Sequence, residues 1–135
     1  MPLLVDTGAL YALADRRDAW HARVRTYLLA HPATLLAPVT ILPEVAYLLR
    51  DRIGPDAEVA FVRSIANGEL GVEGFQQADL SRVEELMDAY RDLGFVDATI
   101  VAIAERLKVP SIATTDRRHF AAVRPAHRER FILLP

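Results

Sequence analysis

Leu3-Leu4-Val5-Asp6-Thr7-Gly8-Ala9-Leu10 is the stretch whose reading decides the fold. Three apolar residues run into an aspartate and a turn of small residues, and Leu10, Leu13 and Ala14 then carry a helical pattern. A buried strand that ends on a carboxylate and turns at once into a helix puts that carboxylate at the C-terminal edge of a sheet. In open α/β sheets, ligands bind at that edge. Three later segments are expected to return to it, each with one more acid: Glu44, Asp97 and Asp116.

Outward from this stretch, the spacing predicts a short helix over 7–15, capped by Asp6 or Thr7, and a second over 19–30 that His31-Pro32 stops. A short strand over 34–37 follows. Thr40 is expected to cap the next helix, 41–52, whose apolar stripe is Ile41, Val45, Leu48 and Leu49, with Glu44 at its edge. A helix over 56–67 ends near Gly68, and 70–75 reads as a strand. The long helix 78–92 is closed by Gly94. Asp97 then precedes the helix 98–104, which is apolar almost all round and therefore buried. A strand over 111–115 ends at Asp116, residues 117–120 begin a helical turn, and 131–134 is a last strand. Strands alternating with helices of this length mean βαβ units, right-handed crossovers and a parallel sheet. The expected class is α/β, with five short strands and about seven helices.

With 135 residues, 52% of them hydrophobic, the chain is expected to form one domain over 1–135. It has no cysteine, which excludes a disulfide framework and thiolate metal ligation. No run approaches the ~18 apolar residues of a membrane span, and no basic leader precedes the first strand. A cytoplasmic protein with no membrane attachment is expected. The net charge of −2 argues against nucleic acid, but the charge is uneven: residues 117–130 hold five arginines and two histidines against Glu129 alone.

Aspartates before helices are ordinary N-caps, each contributing about 1 kcal/mol. A convergent set needs more explanation. Two carboxylates ~4 Å apart repel by ~4 kcal/mol at an effective dielectric of 20, so a folded cluster needs a positive partner. All-oxygen ligation suits Mg²⁺ or Mn²⁺ rather than zinc. Divalent ions in carboxylate pockets activate water and stabilise in-line displacement at phosphorus. The expected chemistry is phosphodiester or phosphate-ester hydrolysis, with Arg117, Arg118 and His119 beside Asp116 as phosphate contacts.

The pattern Val5-Asp6-Thr7, Glu44 in the third helix, Asp97-Ala98 before a buried helix and Thr114-Thr115-Asp116-Arg117-Arg118-His119-Phe120 near the C-terminus resembles the PIN domain, most nearly the VapC-type toxins of toxin–antitoxin pairs. The resemblance implies a three-layer α/β/α sandwich and a Mg²⁺- or Mn²⁺-dependent endoribonuclease. It also implies a homodimer held in check by a small antitoxin. By position, Asp6, Glu44, Asp97 and Asp116 would be catalytic metal ligands, with Thr7 and Thr115 as the hydroxyls that orient them. The alternatives are a PIN-like domain that binds RNA or a partner without cutting, and a housekeeping RNA-processing nuclease. Asp6-Thr7-Gly8 also resembles the aspartic-protease triplet, but that fold is all-β and this chain is largely helical in pattern.

Overall fold

A computed structural model describes residues 2–135. The chain runs β1 (Leu3–Val5), α1 (Thr7–Ala14), α2 (His21–Ala30), β2 (Leu35–Pro38), a 3-10 turn (Val39–Ile41), α3 (Leu42–Arg52), α4 (Pro55–Ala66), β3 (Gly71–Glu73), α5 (Gln77–Ala89), α6 (Phe95–Leu107), β4 (Ser111–Ala113), α7 (Arg117–Ala121) and β5 (Ile132–Leu134). All strand pairs are parallel, in the order β3-β2-β1-β4-β5. Helices flank this sheet, as expected of an α/β/α sandwich. Among the described residues, no helix is long and apolar enough to cross a membrane.

The strand order places the site. From β1 the chain steps outward to β2 and β3, then returns across the sheet to β4 and β5 on the other side of β1. The order therefore reverses between β1 and β4. A crevice opens outside the C-terminal ends of two strands that diverge in this way. Val5 pairs with Ala113, and the Asp6 N–H donates to the Ala113 carbonyl at 3.0 Å, so both strands stop at the same level.

α6 is the centre of the core. Every residue from Ala98 to Ala104 is buried, in agreement with its all-round apolar pattern. Arginines tie it to its neighbours. Arg82 of α5 donates to both oxygens of Glu105, at 2.7 and 2.9 Å, and Glu105 also accepts the Ala126 N–H. Arg106 reaches Glu73 and the buried Asp79, which also closes a capping box with Gln76 at the start of α5.

Several boundaries differ from the sequence reading, each for a local reason. α5 ends at Ala89 rather than Asp92, because buried Leu93 pulls the following loop inward. Gly94 does not close that helix; its extended backbone is the N-cap of α6. Asp97 accordingly lies inside the first turn of α6 instead of preceding it. Thr40 does not cap α3. The chain enters that helix through the 3-10 turn, and the Thr40 hydroxyl bonds the buried Thr99 hydroxyl of α6 at 2.8 Å. β4 stops at Ala113, three residues before Asp116, because the Thr114 hydroxyl accepts the Asp116 N–H at 3.1 Å and bends the chain out of the ladder. Gly68 does mark the end of α4, with a φ of 79° that glycine accepts without strain.

Truncating the middle of α6 tests its place in the core. Ile100→Ala, at a fully buried position, is expected to cost about 2–5 kcal/mol, read as a lower urea midpoint with an unchanged slope. A loss under ~1 kcal/mol would remove α6 from the centre of the packing.

Candidate functional site

Asp6 is set first, by two hydrogen bonds to its side chain. It caps α1, its Oδ1 accepting the Ala9 N–H at 2.8 Å, while Oδ2 accepts a hydrogen bond from the Thr114 hydroxyl. Only 6% of the residue is exposed. Asp116 caps α7, its Oδ1 accepting the Arg118 N–H at 3.3 Å with the Arg118 guanidinium 3.6 Å away. Asp97 projects from the first turn of α6, and Glu44 from the first turn of α3, where Thr7 donates to its Oε2 at 3.3 Å.

All four acids line one cavity of about 430 Å³. Among the described residues, no three of them yet stand close enough to share one ion. They do feel one another. Burial, above all, pushes the Asp6 carboxyl up from its ordinary 3.8 to about 6, and the charges of Asp97 and Asp116 push the same way against the hydrogen bonds from Thr114 and Ala9. Burial also holds Asp97 above its ordinary value, with Asp116 and Glu44 adding to it and His119 partly offsetting it. His119 Nδ1 lies 3.2 Å from Asp97 Oδ2 and 3.7 Å from Asp116 Oδ2, a basic group set between two acids of the cavity. The donors are all oxygens, clustered where negative charge is already resisted. That chemistry fits a hard divalent cation.

The remaining residues named from the sequence divide. Thr7 touches Glu44; Thr115 lines the cavity, and a Cβ at Gly8 would lie 2.3 Å from its Oγ1. The hydroxyl that holds Asp6 belongs instead to Thr114, which the sequence reading passed over as part of a strand. Arg118 lines an adjoining cavity of about 470 Å³ with Tyr90 and Arg91, and His119 lies in the wall of both cavities. Arg117 is exposed on α7, outside either lining. Two further residues were missed: Thr99, which joins α6 to the entry of α3, and Phe95, which lines the acid cavity. A threonine pair 59 positions apart leaves no periodic signal.

Residues 3–124 match the PIN domain model. This chain belongs to the PIN domain family. It is 33% identical over 135 residues to a Mycobacterium tuberculosis protein named ribonuclease VapC26, covering 98% of this chain and all of that one. Solved structures share this fold, among them the following two. Mycobacterium tuberculosis VapC20, a sarcin–ricin loop cleaving toxin, superposes with a TM-score of 0.80 at 24% identity, over 89% of this chain and 94% of its own. A toxin–antitoxin complex from Klebsiella pneumoniae gives 0.70 at 21% identity, over 90% and 92%.

The buried carboxylate of this PIN domain has a measurable cost. Because the folded state raises the Asp6 pKa from 3.8 to about 6, the carboxyl costs the fold nothing below pH 3.8, where it is protonated folded or unfolded, progressively more up to pH 6, and its full penalty of about 3 kcal/mol above that. Asp6→Asn keeps the cap, and its amide can donate to Thr114. The variant is expected to melt higher than wild type at pH 8, with the gap closing towards pH 4 in thermal scans. A variant that melts lower at pH 8 contradicts this account.

Proposed function

We propose that this chain is a metal-dependent endoribonuclease, the toxin of a toxin–antitoxin pair, built as a single domain over 1–135. The observation that carries the reading is the convergence of Asp6, Glu44, Asp97 and Asp116 on one cavity where the strand order reverses. The relative named as a ribonuclease, at 33% identity over nearly the whole chain, supports the substrate class. The Klebsiella pneumoniae neighbour, solved as a toxin–antitoxin complex, supports a small antitoxin as partner, and family resemblance a homodimer.

In this reading Asp6, Glu44, Asp97 and Asp116 would hold Mg²⁺ or Mn²⁺. When bound, such a cation lowers the pKa of water and offsets charge on the phosphate. The chain's own residues do the positioning. Asp6, clamped by Ala9 and Thr114, is the fixed member of the set. Thr7 orients Glu44. His119 donates from Nδ1 towards Asp97, keeping that carboxylate turned into the cavity. Arg118 and His119, with Arg117 beside them, bind phosphates flanking the cut.

Three measurements test this. Purified protein with Mn²⁺ is expected to cut single-stranded RNA, and Asp116→Asn to lose at least 10²-fold in rate, the scale of removing one electrostatic contributor; an Asp116→Asn enzyme of undiminished rate removes the assignment. Expression of the wild type is expected to arrest growth, relieved by the same substitution; cutting without arrest points to RNA processing instead. Finally, millimolar Mg²⁺ or Mn²⁺ should raise the melting temperature, since a ligand bound only by the folded state stabilises it. Asp97→Asn should weaken that response, and a wild type indifferent to either metal would refute the cation site.

A further inference from the structure

Phe95 stands apart from everything else that lines the acid cavity. It sits in the first turn of α6, two positions before Asp97, and 48% of it is exposed. The core does not use it, because the buried part of α6 begins at Ala98. Its ring meets Phe75 in an edge-to-face arrangement with centroids 6.5 Å apart, which steadies its orientation and leaves much of its surface open. The other large exposed apolar side chains, such as Tyr47, Val59 and Val62, lie outside this lining.

The polar groups around the cavity all address a phosphate or a cation. None of them is suited to the flat apolar face of a base, and an RNA strand brings a base with every phosphate. Unstacked bases bind proteins by lying against aromatic rings. We propose that Phe95 is a stacking platform for an unpaired nucleobase next to the phosphate held at the acid cluster. This rests on the nuclease reading and deepens it. A platform of this kind tolerates any base, because each has a π-face, and it favours a splayed strand over a duplex whose bases are already stacked.

The test uses the full chain with Mn²⁺ and a fluorescein-labelled 20-nucleotide RNA of mixed sequence, free or annealed to its complement. Phe95→Ala and Phe95→Leu are expected to raise KM for the free strand by roughly 5- to 150-fold with kcat little changed, while Phe95→Trp stays near wild type. Cleavage of the duplex should not respond to the leucine variant. In an Asp116→Asn background, the indole introduced by Phe95→Trp should be quenched by the free strand, with Trp20 alone as the control. Phe95→Leu keeps an apolar side chain at a half-open position and is expected to fold, so its KM decides the matter. A leucine variant with wild-type KM, beside a normally active wild type, overturns the stacking role and leaves the ring to a protein partner. A wild type that neither cuts nor binds the RNA removes the nuclease reading and the platform with it.

Discussion

The hydrogen bond from Thr114 to Asp6 joins the ends of two neighbouring parallel strands, and the site is arranged around the charge it fixes. β1 and β4 are 106 or more residues apart in sequence, yet they stop level because the Asp6 N–H reaches the Ala113 carbonyl. That pairing makes the crevice, and the Thr114 hydroxyl sets the orientation of its deepest carboxylate. Glu44 and Asp97 are then brought in by helices whose starts are fastened to each other through Thr40 and Thr99. Slip the register of β1 on β4 by one residue and Asp6 turns to the opposite face of the sheet, away from the other three acids.

Magnitudes show why so many devices converge here. Even at ~8 Å, a pair of carboxylates repels by ~2 kcal/mol at an effective dielectric of 20, and in this cavity Asp6, Asp97, Asp116 and Glu44 act on one another's charge in more than one pair. Each acid sits at the start of a helix: Asp6 and Asp116 as N-caps, Glu44 and Asp97 in first turns. Helix N-termini favour anions by about 0.3–1 kcal/mol each, which lowers the repulsion without cancelling it. His119 answers two of the acids and leaves the other two. The shortfall is visible in Asp6, held up at about 6. Packing elsewhere, in the wholly buried α6 and the Arg82–Glu105 tie, has to offset that deficit.

The strand ending at Asp6, the buried helix after Asp97 and the four acids were legible because each rests on a periodic or positional signal that the sequence carries openly. The alternation of strands and helices was enough for the α/β class. What escaped lay in single hydrogen bonds and in loops. Thr114 reads as one more β-former, since nothing local tells that its hydroxyl will face residue 6. Gly94 looks like the end of one helix and is the start of the next, because glycine serves at either terminus and only the burial of Leu93 decides between them. Phe95 follows directly and was hidden by the same misplacement: with the helix started only at Ala98, Phe95 has no defined face, whereas in the first turn of α6 it is fixed beside Asp97.

Capping and ligation first stood as rival explanations for these aspartates, but a capping aspartate is not thereby excluded from the proposed ligation. A carboxylate has two oxygens. In Asp116, Oδ1 takes the Arg118 N–H and leaves Oδ2 facing His119 and the cavity. In Asp6, Oδ1 takes the Ala9 N–H and Oδ2 turns to Thr114 at the mouth of β4. The cap is thus the anchor: it spends one oxygen on the backbone, removes side-chain rotational freedom that a cluster of like charges would otherwise exploit to fly apart, and presents the other oxygen in a set direction. Because that anchor is made of main-chain N–H groups, an asparagine can reproduce it while supplying no charge. Structure and charge at these positions are therefore separable by a single atom.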